Sequence, residues 1–172
     1  MATTTEKEEE RMNLSPNKII LLVAVLLSAA CEDIRLHTYH SLSGDWSAAD
    51  TLKYTYINNS VRDSIFTMDI ELRSTSSYPS RQLWIGVQRL TDKNTPAPVD
   101  TLCCEIYDSL GRQKGTSTGL LHQISIEAGR LKVAPQDTLH INIIHLMNEP
   151  VRDITDVGIR VCGHVQHQYA GN

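Results

Sequence analysis

The chain has 172 residues, of which 21% are charged and 41% hydrophobic, and a formal net charge of −4. Beyond residue 31 it keeps thirteen Lys and Arg against sixteen Asp and Glu, a mild acidity without any basic cluster that argues against a nucleic-acid binder. That remainder is long enough for a single hydrophobic core and amounts to one domain.

Residues 1–30 read as an export signal, to be set aside from the fold. An apolar run of about a dozen residues begins at Ile19, just after Lys18, and ends in Leu26-Leu27-Ser28-Ala29-Ala30-Cys31; it is shorter than the roughly 20 residues a membrane span requires and has the form of a signal h-region. A cysteine directly after two alanines marks a bacterial lipoprotein signal, cleaved before Cys31, whose thiol then carries a diacylglycerol. Leu27 stands one place further from the cysteine than in the commonest form of that motif. The glutamate-rich stretch up to Glu10 does not suit an export n-region, whereas Met12 to Lys18 does, so Met12 is the expected start of translation.

Residues 31–49 are expected to form the lipid anchor and a tether, 50–166 a β-sandwich domain, and 167–172 a C-terminal tail. Most of the periodic signal has period two. Phe66, Met68, Ile70 and Leu72 share one face of a strand, and Thr67, Asp69, Glu71 and Arg73 the other, the pattern of a half-buried antiparallel strand. Similar runs are Leu52 to Ile57, Leu83 to Leu90, Leu102 to Tyr107, Ile124 to Ile126, Leu139 to Leu146 and Val157 to Val165, separated by Asn-, Pro- and Gly-containing turns. Ile144 to Asn148 could begin a short helix. Seven or eight short strands at near-regular spacing predict an all-β, antiparallel β-sandwich.

Chemistry-bearing motifs are sparse. The sequence contains no Gly-x-Ser-x-Gly elbow, no His-Glu-x-x-His and no Gly-rich phosphate loop. His164 and His167, with His140 or His145 from another strand, make the best metal candidate, but they lack zinc-finger spacing and read as surface or strand-edge histidines. Asp69 and Glu71 on one strand face are explained by solvation. The expectation is therefore no enzyme, no metal and no cofactor. Cys104 falls with Leu102 and Ile106 on an apolar face and is expected to be a buried small hydrophobe. Cys103 and Cys162 fall on polar faces and could form a disulfide if their strands were neighbours. Asp-Thr-Leu occurs at Asp50, Asp100 and Asp137, with variants at Asp63 and Asp108. These tripeptides read equally as turns leading into strands and as O-glycan acceptor sites on an exported protein, at Thr51, Ser64, Thr101, Ser109 and Thr138. Trp46 and Tyr78 are candidate aromatics for an interaction surface; Trp84, flanked by Leu83 and Ile85, is expected in the core.

From Cys31 onward, the order of features resembles the gliding motility lipoprotein GldH family of Bacteroidetes. The resemblance is carried by Cys31-Glu32-Asp33, Tyr39-His40, Gly44-Asp45-Trp46, Asp50-Thr51-Leu52 and Arg73. It continues through Ser77-Tyr78-Pro79-Ser80-Arg81-Gln82-Leu83-Trp84, Asp100-Thr101-Leu102, Tyr107-Asp108-Ser109-Leu110-Gly111-Arg112, Gly115, Met147 and Asp156-Val157-Gly158-Ile159-Arg160. The chain departs from the family pattern at Gln82, at Cys103-Cys104, at Asn148 (with Arg152 as a displaced arginine) and in Glu127 to Asp137. The resemblance implies a lipid-anchored, non-enzymatic envelope component serving gliding motility or the associated secretion machinery. Its expected partners are the membrane, through the lipid on Cys31, and other envelope proteins, with no small-molecule substrate. The expected location is the outer rather than the inner membrane. The alternative is a surface glycan-binding lipoprotein with Trp46 and tyrosines as platforms, which an aromatic content of 5% disfavours.

Overall fold

The computed structural model describes residues 33–61, 64–91 and 98–163. Cys31, the signal segment, His164, His167 and the tail lie outside the described residues, as does the Ser64 side chain.

Among the described residues nine strands follow one another: β1 (Asp33–Ser41), β2 (Leu52–Ile57), β3 (Ser64–Thr75), β4 (Gln82–Thr91), β5 (Asp100–Glu105), β6 (Thr116–Thr118), β7 (Leu121–Val133), β8 (Thr138–His145) and β9 (Ile154–Gly163). They form two antiparallel sheets, one of five strands in the order β1-β9-β3-β7-β6 and one of four in the order β2-β8-β4-β5. The all-β sandwich expected from the period-two pattern is thus the fold. The core is the interface between the sheets. Phe66, Met68, Ile70 and Leu72 of β3 and Val157, Ile159 and Val161 of β9 meet Leu83, Ile85 and Val87 of β4 and Leu139, Ile141 and Ile143 of β8, all buried. No helix begins at Ile144: β8 continues through His145, because the alternation of Leu139, Ile141 and Ile143 holds to its end.

The expected tether is replaced, from Asp33 to Ser41, by an edge strand. β1 pairs with β9 from Asp33↔Gly163 to Ser41↔Asp156. Only Leu36 of its aliphatic side chains packs against the core, so the segment lacks the alternation that marks its neighbours. β7 is also longer than its Ile124–Ile126 signal. Between Thr67↔Arg130 and Asp69↔Glu127 the register slips, leaving Ala128 and Gly129 as a bulge, with Gly129 at φ 100°, a conformation that favours glycine. The bulge turns the inner face of β7 from Ile124 and Ala128 to Val133. Arg89 of β4 spans the sandwich and donates through Nη1 to the Ala128 carbonyl at 2.8 Å, satisfying an acceptor the bulge takes out of the ladder, and it also pairs with Asp100.

Candidate functional site: a grooved end of the sandwich

The chain segments that carry the distinctive motifs gather at the end of the sandwich where β3 and β8 finish and β4 and β9 begin. Two loops frame a groove of about 450 Å³ there: the turn Tyr78-Pro79-Ser80 and the loop from Met147 to Arg152. Each wall is fixed from behind by a buried aromatic residue. Trp46, 1% exposed, pairs its backbone with Val151 in both directions (2.8 and 2.9 Å). Its indole N–H donates to the Asp50 carbonyl at 3.2 Å, and its ring meets His145 edge-on at 5.3 Å. Tyr78 is equally enclosed, and its hydroxyl donates to the Gln82 carbonyl at 3.3 Å. Tyr107 ties the same turn down by donating to the Ser76 and Tyr78 carbonyls at 3.1 and 3.0 Å. Asp108 organises its own turn by accepting the amides of Leu110 and Arg112 at 2.8 and 2.9 Å.

His145 closes the circuit between the walls. Its Nδ1 accepts the Met147 amide at 3.2 Å, which requires the neutral ring. Burial lowers its pKa from the ordinary 6.5, against the opposing pull of the Trp46 and Ser47 carbonyls and the Asp50 charge. On acidification the unfolded chain therefore takes up this proton first, near pH 6.5, while the folded ring resists it until the pH reaches its own lower value. The contribution to stability is full above pH 6.5 and is lost as the pH falls through that window. In denaturant titrations, His145→Gln is expected to reduce the loss of stability that wild type shows just below pH 6.5; an unchanged slope would show that His145 is not its source.

The rim of the groove continues onto the outer face of the four-stranded sheet. Leu146 donates its amide to the Trp84 carbonyl at 2.8 Å, and both side chains are 42% exposed. Beside them, Ile144 and Val99 lie over Gly86, where a Cβ would stand 3.1 and 2.9 Å from their Cγ1 atoms. This apolar strip joins Met147 at the groove.

The outer face of the five-stranded sheet is polar and cross-linked by hydrogen bonds and ion pairs. Glu71, only 4% exposed, accepts from Tyr39, from His37 at 2.9 Å and from Gln123 at 3.2 Å, while the Arg160 guanidinium lies 3.5 Å away and also pairs with Asp69 at 2.7 Å. Burial pushes the Glu71 carboxyl upward, but the hydrogen bonds from Tyr39 and His37 and the charges of His37 and Arg160 outweigh it and hold the pKa below 4.5. Burial and the same carboxylate push the Tyr39 phenol up to about 12. Tyr39 reaches Glu71 by lying across Gly158, its register partner on β9, and Arg73 stacks on its ring at 3.9 Å. The Asp69/Glu71 pair is therefore a tied network and not simply a solvated face.

Other predicted positions are dispersed. Trp46 and Tyr78 do not form an exposed surface: Trp46 is buried behind the groove and Tyr78 is buried within its wall, and among the described residues the exposed Trp or Tyr is Trp84, expected inside. Cys103 and Cys162 are not bridged, since they occupy the outward faces of different sheets, and sheets stacked about 10 Å apart leave them beyond disulfide reach. Cys104 is fully buried, and burial pushes its thiol up to about 12. His140 and His145 point to opposite faces of β8. Among the described residues, no group of three or more His, Cys, Asp or Glu is placed to hold a metal ion, and no helix is long and apolar enough to cross a membrane. Of the acceptor tripeptides, Thr51, Thr101 and Ser109 are exposed, whereas Thr138 is half-buried beside a buried Asp137 that accepts its amide at 3.0 Å. Pro150 of the groove loop was not marked in the sequence, although a proline three residues after Met147 is a signal of a shaped turn.

Fold and site together define a two-sheet β-sandwich domain with one grooved end. A family model described as GldH lipoprotein matches residues 35–161. The chain belongs to the GldH lipoprotein family and, with it, to the membrane-anchored lipoproteins of the cell envelope. No curated protein matches it in sequence. Among solved structures it is similar to Eiger TNF from S. frugiperda (7% identity, TM-score 0.41, 82% of this chain and 98% of that one). It is also similar to a CocE/NonD family hydrolase from Staphylococcus aureus (11% identity, TM-score 0.43, 76% of this chain), of which it spans 33%. A third is an exo-beta-1,3-galactanase from Phanerochaete chrysosporium (12% identity, TM-score 0.34, 72% of this chain and 26% of that one).

Proposed function

We propose that this lipoprotein is a non-enzymatic interaction module of the gliding motility or associated secretion machinery, using the grooved end and the adjoining Trp84–Leu146 strip to hold another envelope protein. The observation that carries the reading is the convergence of the family-like motifs at Trp46, Tyr78-Pro79, Tyr107-Asp108 and Met147 on one groove. Next to it stand an exposed tryptophan and leucine, the kind of aromatic and apolar anchors that dominate protein interfaces. The glycan-binding alternative, which takes Trp46 and tyrosines as platforms, loses support because Trp46, Tyr54, Tyr56 and Tyr78 are all enclosed. A tagged copy carrying a photo-crosslinking residue at Trp84 or Pro79, with Arg130 at the other end as control, tests the proposal in whole cells. Motility or secretion components captured from Trp84 and Pro79 but not from Arg130 are the expected result. Capture of outer-membrane nutrient transporters, or of nothing reproducible, would overturn it.

A further inference from the structure

We infer that the sandwich is seated on the bilayer by the end opposite the groove, which contacts a phospholipid surface containing anionic headgroups. The inference rests on lipid attachment at Cys31 and takes that reading further. β1 begins at Asp33, two residues after Cys31, and two residues span at most about 7 Å of chain. That reach is within one screening length, about 8–10 Å at physiological salt, so charges beside Asp33 act directly on the headgroups.

The surface at this end suits such contact. The pairs Asp33↔Gly163, Ser64↔Val133 and Ile57↔Thr138 place the start of β1 beside the finish of β2 and β7. Ile34 is 49% exposed, Ile57 51% and Val61 88%. Arg35, Arg130 and Lys132 are exposed at the same end. Asp33 and Arg35 are paired and offset each other, and Asp137 is buried against its own turn, so Arg130 and Lys132 carry the positive charge of the described residues at this end. Scattered apolar side chains among cations form the combination that binds an anionic interface. The grooved end also exposes Leu110 and Leu120, so exposure alone does not choose between the ends; the two-residue link to Cys31 does. The groove is then held away from the bilayer, where a partner can reach it.

The test uses lipidated full-length protein, purified from membranes and reconstituted into vesicles of phosphatidylethanolamine and phosphatidylglycerol carrying headgroup nitroxides. Tryptophan is introduced by Val61→Trp at the proposed contact or by Leu120→Trp at the other end, both at exposed positions that leave the core intact, with wild type as background. At least twofold stronger nitroxide quenching at position 61 than at 120 is expected. Equal or reversed quenching in vesicle-bound protein overturns the seating while leaving the anchor in place. Wild-type protein that carries no lipid and does not float with vesicles overturns both.

Discussion

Replacing Trp46 with alanine is expected to cost about 3–5 kcal/mol, the usual range for truncating a fully buried aromatic residue and a large share of the roughly 5–15 kcal/mol that holds a domain together. The residue is 1% exposed and fills the space behind one wall of the groove. Its loss removes the edge-on contact with His145 and the indole hydrogen bond to Asp50, and it loosens the loop whose backbone bridges to Val151. Denaturant midpoints would give the magnitude. Hydrogen exchange would show that amides of the Met147–Arg152 loop lose protection beyond the global change. A Trp46→Phe variant should recover most of the packing and none of the hydrogen bond. Loss below 1 kcal/mol for Trp46→Ala would mean that the loop is held by other contacts.

Gly158→Val carries the second largest expected effect, about 2 kcal/mol, through the buried Glu71 it leaves short of a donor. A Cβ at Gly158 would stand 2.4 Å from the Tyr39 ring, so the ring must lift off β9. It then releases Glu71 and its stack with Arg73. Two readouts separate this from general damage to the strand. The Tyr39 phenol should return from about 12 toward its ordinary 10.0 in an ultraviolet titration. Tyr39→Ser should cost less in the Gly158→Val background than in wild type, because the contact with Glu71 is there already lost and the substitution relieves the clash. Full additivity would place the strain elsewhere.

The fold was legible where alternation was clean. Leu52, Tyr54 and Tyr56 point inward in β2 over the expected range, and the same holds for the apolar faces of β3 and β8. It failed at β7, where the Gly129 bulge changes which residues face the core, so a count at fixed period stops after Ile126. It failed at β1 because an edge strand buries little on either face. Trp84 shows a different error. Leu83, Ile85 and Val87 occupy the inner face of β4, so strict alternation points Trp84 outward; its apolar neighbours suggested the reverse. The Glu71 network was out of reach, because its donors on β1 and β9 lie 32 and more residues away along the chain and only strand pairing reveals them. The groove followed a similar course: its motifs were visible one by one, and their convergence was not.

The placement of β1 has a mechanical consequence. A pull applied at Asp33 and resisted at the far end of the domain runs along the axis of β1. Its ladder to β9, from Asp33↔Gly163 to Ser41↔Asp156, is then loaded in shear, with many hydrogen bonds sharing the force at once instead of parting one by one. The cross-links from His37 and Tyr39 to Glu71 on β3 pass that force beyond β9 into the centre of the sheet. The first strand is thus the one whose ladder resists tension along the domain's long direction in parallel, rather than bond by bond.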